Sequence, residues 1–171
     1  MNALDRVLEG REGRYRLQRW LLTKVDVVAQ VSLNVPGYPK SVKGDRFLVE
    51  KISEVYASQI EKIGGKVTTR VLLENGMGPA ALVGTTCIDA FQAKTIAIDL
   101  EEAHEWGRIL DIDVLTASGA ISRKDIKCPP RKCLICDDDG KLCASTRRHD
   151  LWEIRDKVFE LMEEAVTVLG K

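Results

Sequence analysis

The stretch GRILDIDVL at residues 107–115 decides the fold prediction for this chain. In an extended strand, successive side chains point to opposite faces, so Asp111 and Asp113 should share one face. The apolar residues that flank and separate them should share the other face and pack toward a core. Residues 111–115 are therefore predicted as a half-buried strand that presents two carboxylates on its polar face.

Two carboxylates at such positions repel each other, and each raises the pKa of the other. A divalent cation between them removes this cost, and Mg²⁺ prefers one or two carboxylates together with phosphate oxygens and water. We therefore predict that Asp111 and Asp113 are catalytic residues that hold Mg²⁺ or Mn²⁺ for phosphoryl transfer. A lone Asp-x-Asp is more often a surface turn, but the apolar flanks favour a strand here.

The residues just before the acids add groups that suit phosphate. Gly107 allows close approach of the backbone, and the fork of the Arg108 guanidinium matches phosphate oxygens. His104 lies three residues before Gly107 and has two open interpretations. It is either a surface or capping residue, or it contacts phosphate or accepts the proton of an attacking hydroxyl.

Helical patterns occupy both ends of the chain. Residues 2–23 are predicted as a helix with a weak point at residues 10–13, and residues 45–63 as a second helix that ends at a Gly-Gly pair. Asp150 is predicted to cap the last helix, with Glu153 completing a capping box. These helices are expected to enclose a sheet.

Short strands and tight turns are predicted between the helices. The predicted strands are residues 25–35, 66–73, 81–87, 94–100 and 111–115, with residues 121–126 pairing back on the last of them. Residues 127–148 are predicted as a loop. Together these elements predict a single α+β domain over residues 1–171, with a mixed or antiparallel sheet and helices at both ends.

Composition excludes several classes of protein. Charged residues make up 30% of the chain, and no apolar run approaches the ~20 residues of a spanning helix, so a membrane protein is not expected. Basic and acidic residues both number 26, which argues against bulk nucleic-acid binding. The first residues lack the apolar core of a signal peptide, so a cytoplasmic location is expected. Basic clusters in residues 6–24 and 123–148 indicate either solvated surface or a polyanionic small substrate.

The five cysteines are not expected to form disulfides, because their number is odd and the chain looks cytosolic. Cys133, Cys136, Cys143 and His149 have the spacing of a zinc knuckle. They are predicted either to hold a structural Zn²⁺ or to be reduced, partly buried loop residues. Zinc held by four protein ligands would leave no open position for catalysis.

A longer set of motifs resembles one known family, the citrate lyase holo-acyl-carrier-protein synthases, or apo-citrate lyase phosphoribosyl-dephospho-CoA transferases (CitX). The resemblance covers about residues 8–150. Its motifs are Arg11-Glu12-x-Arg14-x3-Gln18, Asn34-x-Pro36-Gly37-x2-Lys40, Lys94-x-Ile96-x-Ile98-x-Leu100-Glu101, His104-x2-Gly107-Arg108-x2-Asp111-Ile112-Asp113-Val114, Ile121-Ser122-Arg123, Pro130-Arg131-x-Cys133-Leu134-x-Cys136, Cys143-Ala144 and His149.

The resemblance implies a reaction with a citrate lyase acyl carrier subunit as acceptor. A serine hydroxyl of the apo carrier would attack the α-phosphorus of 2′-(5″-triphosphoribosyl)-3′-dephospho-CoA, and pyrophosphate would leave. This chemistry is nucleotidyltransferase-like, and so is the expected fold. The predicted phosphate-binding residues are Gly107, Arg108, Arg123, Lys94, Arg11, Arg14 and Gln18, of which the last three share one helix face.

The chain departs from the wider nucleotidyltransferase pattern in one way. Those enzymes usually place a Gly-Ser well before the acid pair, whereas Gly107-Arg108 lies only three residues before Asp111 here. They also have a third acid on a later strand, and Glu101 and Asp125 both remain open for that role.

Two other functions remain open from the sequence. The equivalent synthase of malonate decarboxylase would use the same donor with another carrier, although the cysteine motif favours citrate lyase. A zinc-stabilised, non-catalytic assembly factor for a lyase complex would need Cys133 and His149 but not Asp111.

Overall fold

The computed structural model describes residues 2–170. The helices are α1 (Ala3–Leu21), α2 (Asp45–Lys62), α3 (Ala90–Glu102), α4 (Gly140–Thr146) and α5 (Leu151–Leu169). The strands are β1 (Val27–Leu33), β2 (Lys66–Asn75), β3 (Gly78–Thr86), β4 (Leu110–Thr116) and β5 (Gly119–Ile121). Two 3₁₀ helices span Glu105–Ile109 and Arg123–Ile126.

The five strands form one sheet in the order β2-β3-β1-β4-β5. Every neighbouring pair is antiparallel, and β4 lies beside the central strand β1. The predicted α+β class with an antiparallel sheet is confirmed. Among residues 2–170, no helix combines the length and the apolar character needed to cross a membrane.

The two faces of the sheet are covered unequally. Helices α2, α3 and α5 cover one face, where they enclose the main core with residues such as Val31, Tyr56 and Ile112, all fully buried. Helix α1 covers part of the other face through a smaller cluster that includes Leu21 and Val28. Because α1 covers only part of its face, Asp111 and Asp113 of β4 remain accessible there, whereas Gln30 and Ser32 of β1 are largely buried.

The strand predicted at residues 94–100 is wrong, since these residues belong to α3. Alternating Ile and Leu suggested a strand, yet the side chains that reach the core have helical spacing. They are Ala93, Ile96, Ala97 and Leu100. Asp89 caps the helix by accepting hydrogen bonds from Phe91 and Gln92 backbone N–H groups, a signal that the sequence also carries.

Three smaller predictions also differ from the structure. Residues 119–121, rather than 121–126, pair back on β4, and a 3₁₀ helix follows. The predicted loop at 127–148 contains the short helix α4. Asp150 does cap α5 by position, but its side chain makes no capping hydrogen bond and the predicted box with Glu153 does not form.

Candidate functional site

Asp111 and Asp113 lie on the same face of β4, as the alternation predicts. The intervening Ile112 is fully buried in the main core on the other face. Ser32 and Gln30 of β1 are the cross-strand partners of Asp111 and Asp113 respectively. A row of polar side chains therefore runs across β1 and β4, on the side of the sheet that faces α1.

This row lines a cavity of about 420 Å³, here called the acid cavity. One wall is α1, which contributes Arg11, Arg14 and Gln18, the three residues predicted to share a helix face. The loop after β1 adds Lys40. The fold thus brings three of the predicted phosphate-binding residues to the same cavity as the acid pair.

Arg14 is the most buried cation of the acid cavity, with 4% of its surface exposed. Its Nη2 donates to the carbonyl oxygen of Gly78 over 2.7 Å, which fixes the guanidinium against the β2–β3 turn. Burial lowers the pKa of Arg14 to about 10, and Asp111 partly opposes this by raising it. Among residues 2–170, the buried Nε of Arg14 has no hydrogen-bond partner. That N–H is therefore left with unmet hydrogen-bonding capacity.

The pKa of Asp113 is raised above its usual value. Loss of hydration is the main cause, and repulsion from Asp111 is the next. Lys94 and Arg131 act in the opposite direction, but they do not cancel the shift. Because the shift opposes ionisation, a cation bound beside Asp113 would favour the carboxylate that the fold alone disfavours.

A buried ion-pair network lies behind the acid pair and is centred on Glu101, which is 3% exposed. Arg123 and Arg131 each donate to Glu101 over 2.6 Å. The Nη2 of Arg131 also lies 3.3 Å from the carboxylate of Asp111. Lys94 Nζ donates to the carbonyl oxygen of Ile112 over 2.9 Å. Lys94 and Arg123 are therefore engaged in this network and do not line the acid cavity.

The other predicted site residues lie apart from the acid cavity. Gly107 is buried where an added Cβ would meet the carbonyl oxygen of Glu101 at 2.6 Å, so its contact is with the end of α3. Arg108 pairs with Glu105 at 2.7 Å and donates to the main-chain carbonyl oxygens of Cys133 and Cys136. The exposed ring of His104 stacks on Trp106. Their predicted phosphate or catalytic roles stay predictions.

Neither open candidate for a third acid lines the acid cavity. Glu101 accepts a hydrogen bond from the backbone N–H of Ile112 and is enclosed by arginines. Asp125 is exposed and accepts hydrogen bonds from the backbone N–H and the hydroxyl of Ser122, the residue that caps the second 3₁₀ helix. These hydrogen bonds lower the pKa of Asp125.

A second constellation is the cysteine cluster, formed by Cys133, Cys136, Cys143 and His149. One ligand atom from each residue lies within 4.8 Å of all the others. The Sγ of Cys136 is 3.6 Å from that of Cys143 and 3.4 Å from His149 Nε2. Four such side chains converging on one point can hold a tetrahedral Zn²⁺.

The main chain around the cysteine cluster is well supported. Residues Lys132 and Asp139 form a β-bridge that closes the first turn, and Asp139 then caps α4. Arg108 donates to the carbonyl oxygens of Cys133 and Cys136 from outside the turn. These contacts tie the cluster to the 3₁₀ helix that leads into β4.

Two residues of the site were not predicted. Lys40 and Arg131 both stand in the quoted motifs, yet no role followed from their spacing. Lys40 lines the acid cavity, and its Nζ donates to the carbonyl oxygen of Val35 just after β1. Arg131 lies between Glu101 and Asp111, and its Nη2 contacts both carboxylates. The sequence signal that could have pointed to Arg131 is its position two residues before Cys133, at the start of the cysteine motif.

A carboxylate pair that faces an open, cationic cavity can hold a divalent cation beside a phosphorylated substrate. The comparisons with known proteins identify the family. The family model described as apo-citrate lyase phosphoribosyl-dephospho-CoA transferase matches residues 2–165, and the chain belongs to that family.

Individual relatives agree with this assignment. A probable apo-citrate lyase phosphoribosyl-dephospho-CoA transferase of Vibrio cholerae serotype O1 (strain M66-2) is 29% identical over 164 residues, which cover 95% of this chain and 92% of the relative. An apo-citrate lyase phosphoribosyl-dephospho-CoA transferase of Escherichia coli O9:H4 (strain HS) is 27% identical over 164 residues, covering 95% of this chain and 89% of the relative.

Proposed function

We propose that this chain transfers the 5″-phosphoribosyl-3′-dephospho-CoA group from 2′-(5″-triphosphoribosyl)-3′-dephospho-CoA to a serine of the apo acyl carrier subunit of citrate lyase. The serine oxygen forms a bond to the α-phosphorus, the bond from that phosphorus to pyrophosphate breaks, and the serine proton passes to a base. The observation that carries the proposal is the Asp111–Asp113 pair beside a cationic cavity in a member of this family.

Asp111 and Asp113 are proposed to hold the divalent cation. They share one face of β4, they border open space, and the raised pKa of Asp113 indicates an uncompensated negative site. Mg²⁺ or Mn²⁺ bound there would neutralise charge on the α-phosphate and the leaving pyrophosphate. The sheet holds both carboxylates in place before the substrate arrives, so little reorganisation is needed.

Arg11, Arg14 and Gln18 are proposed to hold the rest of the triphosphate. They lie on the α1 wall, opposite the acids. Arg14 is anchored through one nitrogen to Gly78 and has another N–H free of partners among residues 2–170. An arginine held in this way can orient a phosphate at small entropic cost, because its side chain is already ordered.

The cysteine cluster is proposed to bind a structural Zn²⁺ rather than a catalytic one. Its four side chains complete a tetrahedral ligand set, which leaves no position for substrate. Glu153 lies 3.9 Å from His149 Nδ1, on the ring nitrogen away from the cysteines. Such an outer carboxylate orients a zinc-bound histidine in many sites.

The direct test is pyrophosphate release with the triphosphoribosyl donor, apo carrier protein and Mg²⁺. Asp111→Asn and Asp113→Asn should each lower the rate at least ~10³-fold, because each removes a charge that holds the metal. Asp99→Asn is the matched control, since Asp99 is an exposed aspartate of α3 outside the acid cavity. Circular dichroism should show all three variants folded.

The outcomes separate the alternatives. Full activity in a folded Asp111→Asn variant would refute the metal role of the acid pair. Release with the malonate decarboxylase carrier, and none with the citrate lyase carrier, would assign the chain to the other synthase. No release with either carrier would favour a non-catalytic assembly factor.

A further inference from the structure

A second cavity, of about 570 Å³, adjoins the acid cavity. It lies between the first half of α1, the loop at residues 38–41 and the turn between β2 and β3. Lys40 lines both cavities, so the two spaces meet at this side chain. A volume of this size falls within the range of small-molecule sites, about 300–1,000 Å³.

The walls of the second cavity are held together by close backbone contacts. Asn75 Nδ2 donates to the carbonyl oxygen of Gly10 over 3.1 Å. A Cβ on Gly76 would lie 2.1 Å from the carbonyl oxygen of Arg6, so only glycine permits this approach of α1 to the turn. Gly78, with φ of +82°, contacts the carbonyl oxygen of Lys40 in the same manner. The cavity is therefore formed by the fold and does not need a ligand to assemble it.

The groups on these walls suit a nucleotide. Arg6 and Lys40 supply two cations, and Tyr38, also on the wall, is 47% exposed. An exposed aromatic ring can stack on a base, while arginine and lysine pair with phosphates. Glu9 adds one carboxylate, which can accept hydrogen bonds from sugar hydroxyls or a base amino group.

We propose that the second cavity binds the nucleoside diphosphate part of the donor, while its triphosphate lies in the acid cavity. The proposal rests on the proposed function, because that donor joins a triphosphate arm to a nucleoside diphosphate. Lys40, at the junction, would lie near phosphate groups of both parts. The adjoining spaces allow one extended molecule to occupy both.

Gly13 offers a way to fill the second cavity without disturbing the fold. It lines the cavity from α1, and a Cβ added there meets nothing within 4 Å. Gly13→Leu would thus extend a side chain into the open space, and leucine is a better helix former than glycine. Gly13→Ala is the matched control, because it makes a similar helix change and adds only a methyl group.

The test is calorimetric titration of the full chain with ADP, without added divalent metal. Wild type should bind ADP, Gly13→Leu should weaken the affinity at least ~10-fold, and Gly13→Ala should leave it nearly unchanged. Thermal unfolding should show that Gly13→Leu is no less stable than wild type. Asp111→Asn should keep the ADP affinity, because Asp111 lies in the other cavity.

Three results would overturn the second site. They are a wild type that binds no ADP, a Gly13→Leu variant that binds ADP as tightly as wild type, and an Asp111→Asn variant that loses ADP binding while Gly13→Leu keeps it. The last would place ADP at the acid pair. If pyrophosphate release fails while ADP binding depends on Gly13 as expected, the proposed reaction fails and the nucleotide site stands.

Discussion

The cysteine cluster and the acid cavity differ in how the chain assembles them. All four side chains of the cluster come from residues 133–149, and their ligand atoms converge within 4.8 Å. The acid cavity instead draws on α1, β1, β4 and the loop after β1. A site built from neighbouring residues can be found from their spacing, whereas a site built across a sheet requires the fold.

The two sites also differ in the coordination they can offer a metal. Three cysteines and a histidine fill a tetrahedral shell, which suits an ion that stabilises structure. Two carboxylates leave most positions of an octahedral ion open to substrate and water. Arg131 connects the two regions, since it begins the turn of the cysteine cluster and lies 3.3 Å from Asp111.

The largest effect on stability is expected from the cysteine cluster. Cys136→Ser should remove bound zinc and lower the free energy of unfolding by more than ~3 kcal/mol, because metal binding contributes directly to folding. Metal analysis and urea unfolding would measure both changes. Cys87→Ser is the control, since Cys87 is exposed and outside the cluster, and should change stability by less than ~0.5 kcal/mol. A zinc-loaded wild type that is no more stable than Cys136→Ser would contradict the structural role.

A smaller effect is expected at the connection between the two regions. Arg131→Gln removes one of two cations from the buried Glu101 and should cost about 2 kcal/mol, because Arg123 still compensates part of that charge. Lys132→Gln is the neighbouring control, since Lys132 pairs only with exposed Asp137 among residues 2–170. Equal unfolding curves for both variants would show that Arg131 does not support the network.

The smallest effect, of opposite sign, is expected at the acid pair. The folded-state pKa of Asp113 is raised above 3.8, so wild type loses stability as pH rises through that raised pKa. Asp113→Asn avoids this loss and should be more stable than wild type at pH 7. The gain should be less than ~1 kcal/mol, because the Asp113 side chain, although partly dehydrated, still borders solvent that screens its charge. The difference should shrink as pH falls toward 3.8.

Added Mg²⁺ sharpens this last prediction. It should raise the thermal midpoint of wild type but not that of Asp113→Asn, because the proposed Mg²⁺ site needs both carboxylates. Equal shifts in both proteins would place the Mg²⁺ response elsewhere.

The sequence predicted the strand that carries Asp111 and Asp113 correctly, but it did not predict the neighbouring helix at residues 94–100. The alternation at residues 111–115 was sufficient for β4, because one face of the strand is buried and the other is polar. Residues 94–100 were misjudged because a short apolar run fits both a strand and a buried helix. The cap at Asp89 and the small residues at 93 and 97 would have favoured the helix.

The basic and polar residues that line the acid cavity were predicted only in part. Arg11, Arg14 and Gln18 were placed correctly on one helix face, because that relation is local. Arg123 and Lys94 carry the right charge, but the fold commits them to Glu101 and to the main chain of β4. Which partner a basic residue meets depends on tertiary packing, and no spacing within the chain specifies it.

The short length of β5 has a further consequence. Since β5 ends at Ile121, no strand among residues 2–170 lies beside the backbone N–H and C=O of Ile112 on that side. Glu101 and Lys94 occupy those two groups with side-chain hydrogen bonds. An exposed strand edge can recruit a strand of another molecule and start aggregation. The two charged residues of α3 therefore block this part of the β4 edge against pairing with a strand of a second molecule, and the face of β4 that carries Asp111 and Asp113 stays open.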